Sequence, residues 1–340
     1  MSSLHDVARL AGVSKSLVSR VVNHQSGVSA ENRRKILEAM KALNYKPNAL
    51  ARSLVMGRTN IIGVVMDSLC EPFFFPFIHG LEEAVNQTGF DLVFTSGQDL
   101  PQYKEAAARF FLQGRADGII LYGSRLAGEH LIRSLAEQTL PIVVVENHLS
   151  DLDLYNVCLD NHYGSKLAVE HLFACGCSSI GYVIGDPSYR VTEDRLNGFL
   201  QAMETHGIQV PPHMLIQANF SIKDSYEAML AYLKKAPRCD LPEGFCCCSD
   251  NTAYGVISAL EDSGLHVPDD VKVVGFDDDL PPRDYRHAAL TTVSQPLHQM
   301  ARCAVELLLQ QIRGQESSPR KVVLLPELVI RDSSGLHAER

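Results

Sequence analysis

No stretch of this 340-residue chain approaches the run of about 20 apolar residues that a membrane helix needs. The N-terminus has no apolar core followed by a small-residue cleavage site, so a soluble, cytoplasmic protein without a membrane partner is expected. Cysteine occurs nine times, yet Cys175-Gly176-Cys177 and Cys246-Cys247-Cys248 match neither a zinc spacing nor a disulfide framework. Gly244-Phe245-Cys246-Cys247-Cys248 reads instead as a buried strand that uses thiols as small hydrophobes, which points to a reducing compartment. Catalytic signatures are also missing, since no G-x-S-x-G, H-E-x-x-H or phosphate loop is found. Asp277, Asp278 and Asp279 are adjacent, and three consecutive carboxylates are poorly placed to face one ion. His162 and His171 fall in helical patterns and read as structural. The expectation is therefore a protein that is not an enzyme and holds no metal or cofactor.

What is present is a strong separation of charge. Residues 1–60 carry ten Lys or Arg against three acids, a net of +7, whereas the remaining 280 carry 21 against 37, a net of −16. A basic head attracts phosphates and an acidic body is repelled by them. The length suits such a head followed by two further lobes.

Leu4, Val7, Ala8 and Ala11 recur at i, i+3, i+4 and i+7 and predict a first helix, which Gly12 ends. Ser14 is placed to cap a second helix. There Leu17, Val18, Val21 and Val22 form an apolar side opposite a polar arc of Lys15, Ser16, Ser19, Arg20 and Asn23. Two short helices joined by a glycine turn are the plan of a helix-turn-helix DNA reader, and that arc has the donors needed to read base edges in a major groove. Lys15, Ser16 and Arg20 are the expected base contacts. A third helix, capped by Ser29 and carrying Ile36, Ala39, Met40 and Leu43, closes a three-helix core. The segment Tyr45-Lys46-Pro47-Asn48-Ala49-Leu50-Ala51-Arg52-Ser53-Leu54 has proline in its first turn but is too short to be a stable helix alone.

Beyond residue 60, apolar runs alternate with helical patterns: Ile61–Met66, Asp91–Ser96, Gly118–Gly123, Pro141–Glu146, Ser179–Gly185, Gly244–Ser249 and Val271–Asp277. This predicts parallel sheets wound by crossover helices, in two α/β lobes with a ligand cleft beyond the strand ends. One crossing between lobes is expected at Asn156–Asp160 and a second near Leu290–Gln295.

Asp6 to Asn23, Tyr45-Lys46-Pro47-Asn48 to Leu54, and Ile62-Gly63-Val64-Val65 together resemble the lactose and galactose repressor (LacI/GalR) family. The likeness continues through Asp160-Asn161-His162-Tyr163-Gly164, Arg195-Leu196-Asn197-Gly198-Phe199, Ser249-Asp250-Asn251-Thr252-Ala253-Tyr254-Gly255 and Val274-Gly275-Phe276-Asp277-Asp278. The resemblance implies an all-α helix-turn-helix head (1–46), a hinge helix and linker (47–60), and a two-lobed body similar to type I periplasmic binding proteins. The first lobe would take 61–160 plus about 291–320, and the second 161–290 plus about 321–340. It further implies a hinge helix that orders on the operator, with Asn48 and Arg52 on it and Leu54 wedged into the minor groove. Leu17 departs from the threonine or serine common at its position.

For the effector site the resemblance implies Arg195, Asp250 and Asp277, with Phe73, Phe74 and Phe220 against a ring and Tyr122 and Glu146 as further candidates. At Ser249 several sugar-responsive members carry asparagine, so a hydroxyl is kept and an amide lost. The implied function is a transcriptional regulator, expected to repress, whose affinity for near-palindromic double-stranded operator DNA is set by a sugar or sugar phosphate. No leucine heptads follow Val329-Ile330-Arg331-Asp332, so the tetramer-building tail of some members is expected to be missing, and a homodimer associated with the nucleoid is expected.

Overall fold

The structure is a computed structural model that describes residues 3–23, 26–45, 57–97, 100–123, 125–147, 149, 151–235, 240–281, 285–315 and 319–335. Among them no helix is long and apolar enough to cross a membrane.

The head holds α1 (Leu4–Ala11), α2 (Lys15–Val22) and α3 (Ala30–Ala42). Ser3 and Asp6 form a reciprocal capping box at the start of α1, and Gly12 ends it at φ 67°, a left-handed conformation that glycine adopts without a Cβ penalty. Ser14 and Ser29 each accept the backbone N–H three residues on, capping α2 and α3. With the ends satisfied, Val7, Ala8, Val18, Val21, Ile36 and Ala39 close a core against which Leu17, Met40, Leu43 and Tyr45 pack. The hydroxyl forfeited at Leu17 is thus exchanged for apolar packing.

The body consists of two six-stranded sheets. The first lobe carries β1 (Ile61–Met66), α4 (Phe75–Val85), β2 (Asp91–Ser96), α5 (Pro101–Leu112), β3 (Gly118–Tyr122), α6 (Glu129–Ala136), β4 (Ile142–Val145) and β5 (Tyr155–Leu159). The second carries α7 (Asn161–Ala174), β6 (Ile180–Ile184), α8 (Arg190–Thr205), β7 (Leu215–Gln217), α9 (Ile222–Leu233), β8 (Gly244–Cys247), α10 (Asp250–Asp262), β9 (Lys272–Asp277) and β10 (Thr291–Ser294). The chain ends with α11 (Leu297–Ile312), β11 (Lys321–Leu324) and β12 (Glu327–Val329).

Strand orders are β11-β5-β4-β3-β1-β2 and β12-β10-β9-β8-β6-β7. Setting the last strands aside, both lobes have the same doubly wound order, which reverses direction beside β1 and β6; ligands of such sheets bind beyond the strands' carboxyl ends. Among the described residues the pairings of the named strands are parallel except that of β10 with β12. The central strands are buried on both faces, which is why they read as continuous apolar runs. The cysteine run lies in and just after β8 with its thiols buried, and burial raises their pKa values.

Two lobe boundaries need correction. Residues 291–294, expected in the first lobe, belong to the second, since β10 pairs with β9, and the crossing follows at Gln295–Pro296. Residues 321–324, expected in the second lobe, belong to the first, since β11 pairs with β5, so the chain crosses back only at Leu325–Pro326. Both errors have one cause: these strands find their partners across the sheet, where local pattern carries no information. Between them α11 packs into the first lobe's core, placing Leu297, Met300, Ala301, Ala304 and Leu308 against Phe77 and Leu81.

In the second lobe Phe199 of α8 is fully buried against Tyr182 of β6, their ring centroids 4.8 Å apart, on the helix that also carries Arg195. Replacing Phe199 by alanine should cost about 3–5 kcal/mol, the usual loss for a fully buried phenylalanine. Urea unfolding of the body's transition measures it; a loss under about 1 kcal/mol would show that the α8–sheet contact does not support the fold.

Candidate functional site

A cavity of about 240 Å³ opens between the lobes where the carboxyl ends of β1, β3, β4, β6, β8 and β9 converge. Seven of the eight expected effector residues line it: Phe73, Phe74, Tyr122, Glu146, Arg195, Phe220 and Asp277.

Arg195 is its centre. The residue is 3% exposed. Its Nε donates to Asn161 Oδ1 at 2.9 Å, and its Nη1 donates to the Cys248 carbonyl at 2.6 Å and to Asp277 Oδ1 at 3.0 Å. The plane lies over Phe276, 3.7 Å from Cζ to the ring centroid. Nη2 has no partner among the described residues, so one edge of a fixed cation is left for a ligand.

Asp277 Oδ1 also accepts from Gln295 Nε2 at 2.7 Å. Burial pushes its pKa up to about 6 although Arg195 opposes the shift. Glu146 accepts from the Leu159 N–H at 2.7 Å, and its pKa is pushed up to about 7, again by burial first. Asp67 also faces the cavity, but Lys104 Nζ lies 2.7 Å from it and donates at 2.6 Å to the Tyr122 carbonyl, so that acid is already paired.

The aromatic residues come from both lobes. Phe73 and Phe74 meet edge to face at 5.0 Å, and Phe74 meets Tyr122 at 5.3 Å. Across the cavity Tyr189 meets Phe220 at 5.3 Å. A ligand ring between them would find apolar surface above and below and hydrogen-bonding groups at its edge.

Asp250 does not line the cavity. It is 1% exposed, with Oδ1 accepting from Thr292 Oγ1 at 2.5 Å and Oδ2 from the Asp279 N–H at 2.7 Å. Gly275 admits it: a Cβ there would lie 2.1 Å from Asp250 Oδ1. The expected contact is thus replaced by a positioning role, in which Asp250 fixes the loop carrying Asp279. The three adjacent acids diverge: Asp277 pairs with Arg195, Asp278 pairs with Arg331 at 2.6 Å, and Asp279 lines the cavity.

Sequence reasoning missed Asp67, Glu71, Tyr189, Val191, Asn251, Asp279 and Gln295 as lining residues. Asp67 and Gln295 each stand one residue beyond a strand's carboxyl end, a signal the sequence already held. Ser249 caps α10 through Thr252 and is also among the residues that line the cavity. His171 is buried and bonded to Ser334 Oγ at 2.8 Å, a structural arrangement.

On the head, Lys15, Ser16 and Arg20 are exposed on one side of α2, while Ser19 and Asn23 are half-buried and joined by a 3.3 Å hydrogen bond. Asn23 Oδ1 is buried without a partner among the described residues. Asn48, Arg52 and Leu54 lie outside the described residues.

The fold and site define a class: a two-lobed ligand-binding body attached to a helix-turn-helix head. Residues 3–48 match the family described as bacterial regulatory proteins, lacI family, and residues 169–334 match the periplasmic binding protein-like domain. The chain is 33% identical over 341 residues to the HTH-type transcriptional repressor PurR of Haemophilus influenzae, covering 98% of both. It superposes with a TM-score of 0.85, at 28% identity, on a lac repressor dimer bound to operator and the anti-inducer ONPF, covering 98% of this chain and 99% of that one. A complex of the transcriptional regulator CelR with cellobiose matches with a TM-score of 0.72 at 28% identity, covering 98% and 100%. The chain belongs to the lacI family and is a DNA-binding transcriptional repressor with a ligand-binding C-terminal body.

The buried acids give the body a pH signature. Because the pKa of Glu146 is raised to about 7 from 4.5, the native state keeps a proton that the unfolded chain releases. Its contribution to stability therefore falls as pH rises from 4.5 through 7. Glu146→Gln should remove that slope, so the variant gains on the wild type between pH 5 and pH 8 in thermal unfolding. A pH-independent difference would show that Glu146 is ionised in the native state.

Proposed function

We propose that the cavity takes a neutral polyol, a sugar without a phosphate, and that its occupancy changes the affinity of the head for a near-palindromic operator. The observation that carries this reading is the free edge of Arg195 beside carboxylates and between aromatic residues of the two lobes. A guanidinium edge donates to a hydroxyl, carboxylates accept from the neighbouring hydroxyls, and aromatic faces cover the apolar side of a sugar ring. Among the described residues the cavity carries Glu71, Glu146, Asp277 and Asp279 besides the Lys104-paired Asp67, against Arg195 as the one cation in its lining. A phosphate finds little there to neutralise it, which narrows the sequence expectation of a sugar or sugar phosphate. The CelR structure with cellobiose supports the same class.

A planar nucleobase is the second reading, favoured by aromatic residues on both sides of the cavity. Catalysis is not part of the proposal: Ser249 is committed to its helix cap, with Thr252 Oγ1 2.9 Å away, and Asp277 is held by Arg195 and Gln295. The operator side rests on Lys15, Ser16, Ser19, Arg20 and Asn23, and on Asn48, Arg52 and Leu54 in the hinge. Two heads on a homodimer would read the two half-sites.

The test is a fluorescence-anisotropy titration against the promoter region of the chain's own gene at fixed salt, with neutral sugars, sugar phosphates and nucleobases. One neutral sugar should shift affinity by about 5–150-fold, the usual range of coupling between sites. Arg195→Ala should abolish the shift. A response confined to phosphates or nucleobases, or one unchanged by Arg195→Ala, overturns the ligand assignment. On the same DNA, Arg20→Ala should cost about 1–3 kcal/mol of specific binding and relax sequence preference; an unchanged affinity removes Arg20 from the interface.

A further inference from the structure

Outside the cavity, His79 and Glu83 of α4 and His298 of α11 bring two imidazoles and a carboxylate together on the surface of the first lobe, with their ligand atoms within 4.8 Å of one another. Their convergence follows from the backbone. His79 and Glu83 are one helical turn apart and share a face of α4. Between them stands Gly80, where a Cβ would lie 2.8 Å from the His298 carbonyl and 2.9 Å from the Ala301 side chain. Only glycine lets α4 and α11 approach this closely, and the approach brings a histidine more than 200 residues away to the side of the pair.

The spacing suits a tetrahedral ion. His298 Nε2 lies 2.9 Å from Glu83 Oε2, and His79 Nε2 lies 3.7 Å from Glu83 Oε1. Zinc–ligand bonds of about 2.0–2.2 Å place tetrahedral ligand atoms roughly 3.3–3.5 Å apart, between those two separations. Small rotations of exposed side chains close the difference, since His79, Glu83 and His298 keep 64%, 55% and 41% of their side-chain surface in solvent. Both imidazoles already turn their Nε2 towards the same carboxylate, so part of the ordering is present before an ion arrives. Two nitrogens and an oxygen with one position open to water are a donor set for zinc and neighbouring transition ions rather than for calcium or magnesium, which prefer oxygen.

We propose that His79, Glu83 and His298 form a surface site for a divalent transition ion of the zinc type. The ion would tie α4 to the first turn of α11, three residues after Gln295. The site shares no residue with the ligand cavity and does not depend on the sugar assignment.

Calorimetric titration of the untagged full-length chain with zinc chloride, in reducing buffer without chelator, tests the site. One saturable site per chain is expected. His79→Ala and His298→Ala should each weaken it by more than about tenfold, the smallest loss usual even for residues that only orient a ligand. Zinc should also raise the thermal midpoint of the wild type and not that of the His79→Ala/His298→Ala double variant. These side chains are exposed, and far-UV circular dichroism of the variants should match the wild type. Equal zinc binding by wild type and double variant, or no saturable binding by the wild type, overturns the proposal.

Discussion

The buried guanidinium of Arg195 is the constraint around which the body is organised. A cation this deep carries a desolvation cost of several kcal/mol, which only close, well-directed partners offset. Asn161 comes from the start of α7, the Cys248 carbonyl from just beyond β8, and Asp277 from the end of β9, while Phe276 covers the face of the group. The arginine therefore fixes the relative positions of three segments of the second lobe, and through Asp277 it reaches a fourth. Gln295, at the crossing back to the first lobe, holds the same carboxylate oxygen. A ligand that engages Arg195 or Asp277 acts on the residues that join the lobes, and this link is what a regulatory equilibrium between lobe arrangements requires.

Other contacts connect the lobes directly. At the mouth of the cleft Leu126 N donates to the Ser188 carbonyl at 2.9 Å, the Arg125 guanidinium lies 4.2 Å from the Tyr189 ring centroid, and Arg190 pairs with Glu129. Tyr189 also lines the cavity, so the latch and the ligand share a residue. Contacts of this modest kind separate more readily than a packed core, which suits a closure biased by occupancy.

Much of this was legible in the sequence because the central elements carry their own signal. Strands buried on both faces appear as apolar runs, and the three helices of the head announce themselves by serine caps and a glycine stop. Strands β7 and β12, with three residues each, and strand β11, with alternating exposure, give no such signal; their identity comes from the neighbouring strand. The same distinction holds at the site. Arg195 and Asp277 follow from the family resemblance and Glu146 from its place at a strand end, but the orientation of Asp250 depends on space above Gly275 in another strand, which neither signal carries. Convergence of His79 and Glu83 with His298 is equally invisible to local pattern, since the contact at Gly80 creates it.

Two cavity acids stand on backbone that residues with a side chain seldom adopt: Glu146 at φ 59° and Asp277 at φ 122°. Conformations of this kind cost about 1–3 kcal/mol each and persist where surrounding structure dictates them. At Glu146 the backbone N–H is held by Val157 at 3.0 Å while the side chain is held by Leu159, so two bonds to β5 enforce the turn. At Asp277 the ladder with β10 on one side and Arg195 with Gln295 on the other do the same. Glycine would adopt either conformation more easily, yet each position carries a carboxylate. The strain is thus best understood as the cost of turning an acid from the end of a strand into the cavity. Its restraints come from residues at the lobe crossings, so the geometry of the binding site and the arrangement of the lobes are fixed by the same bonds.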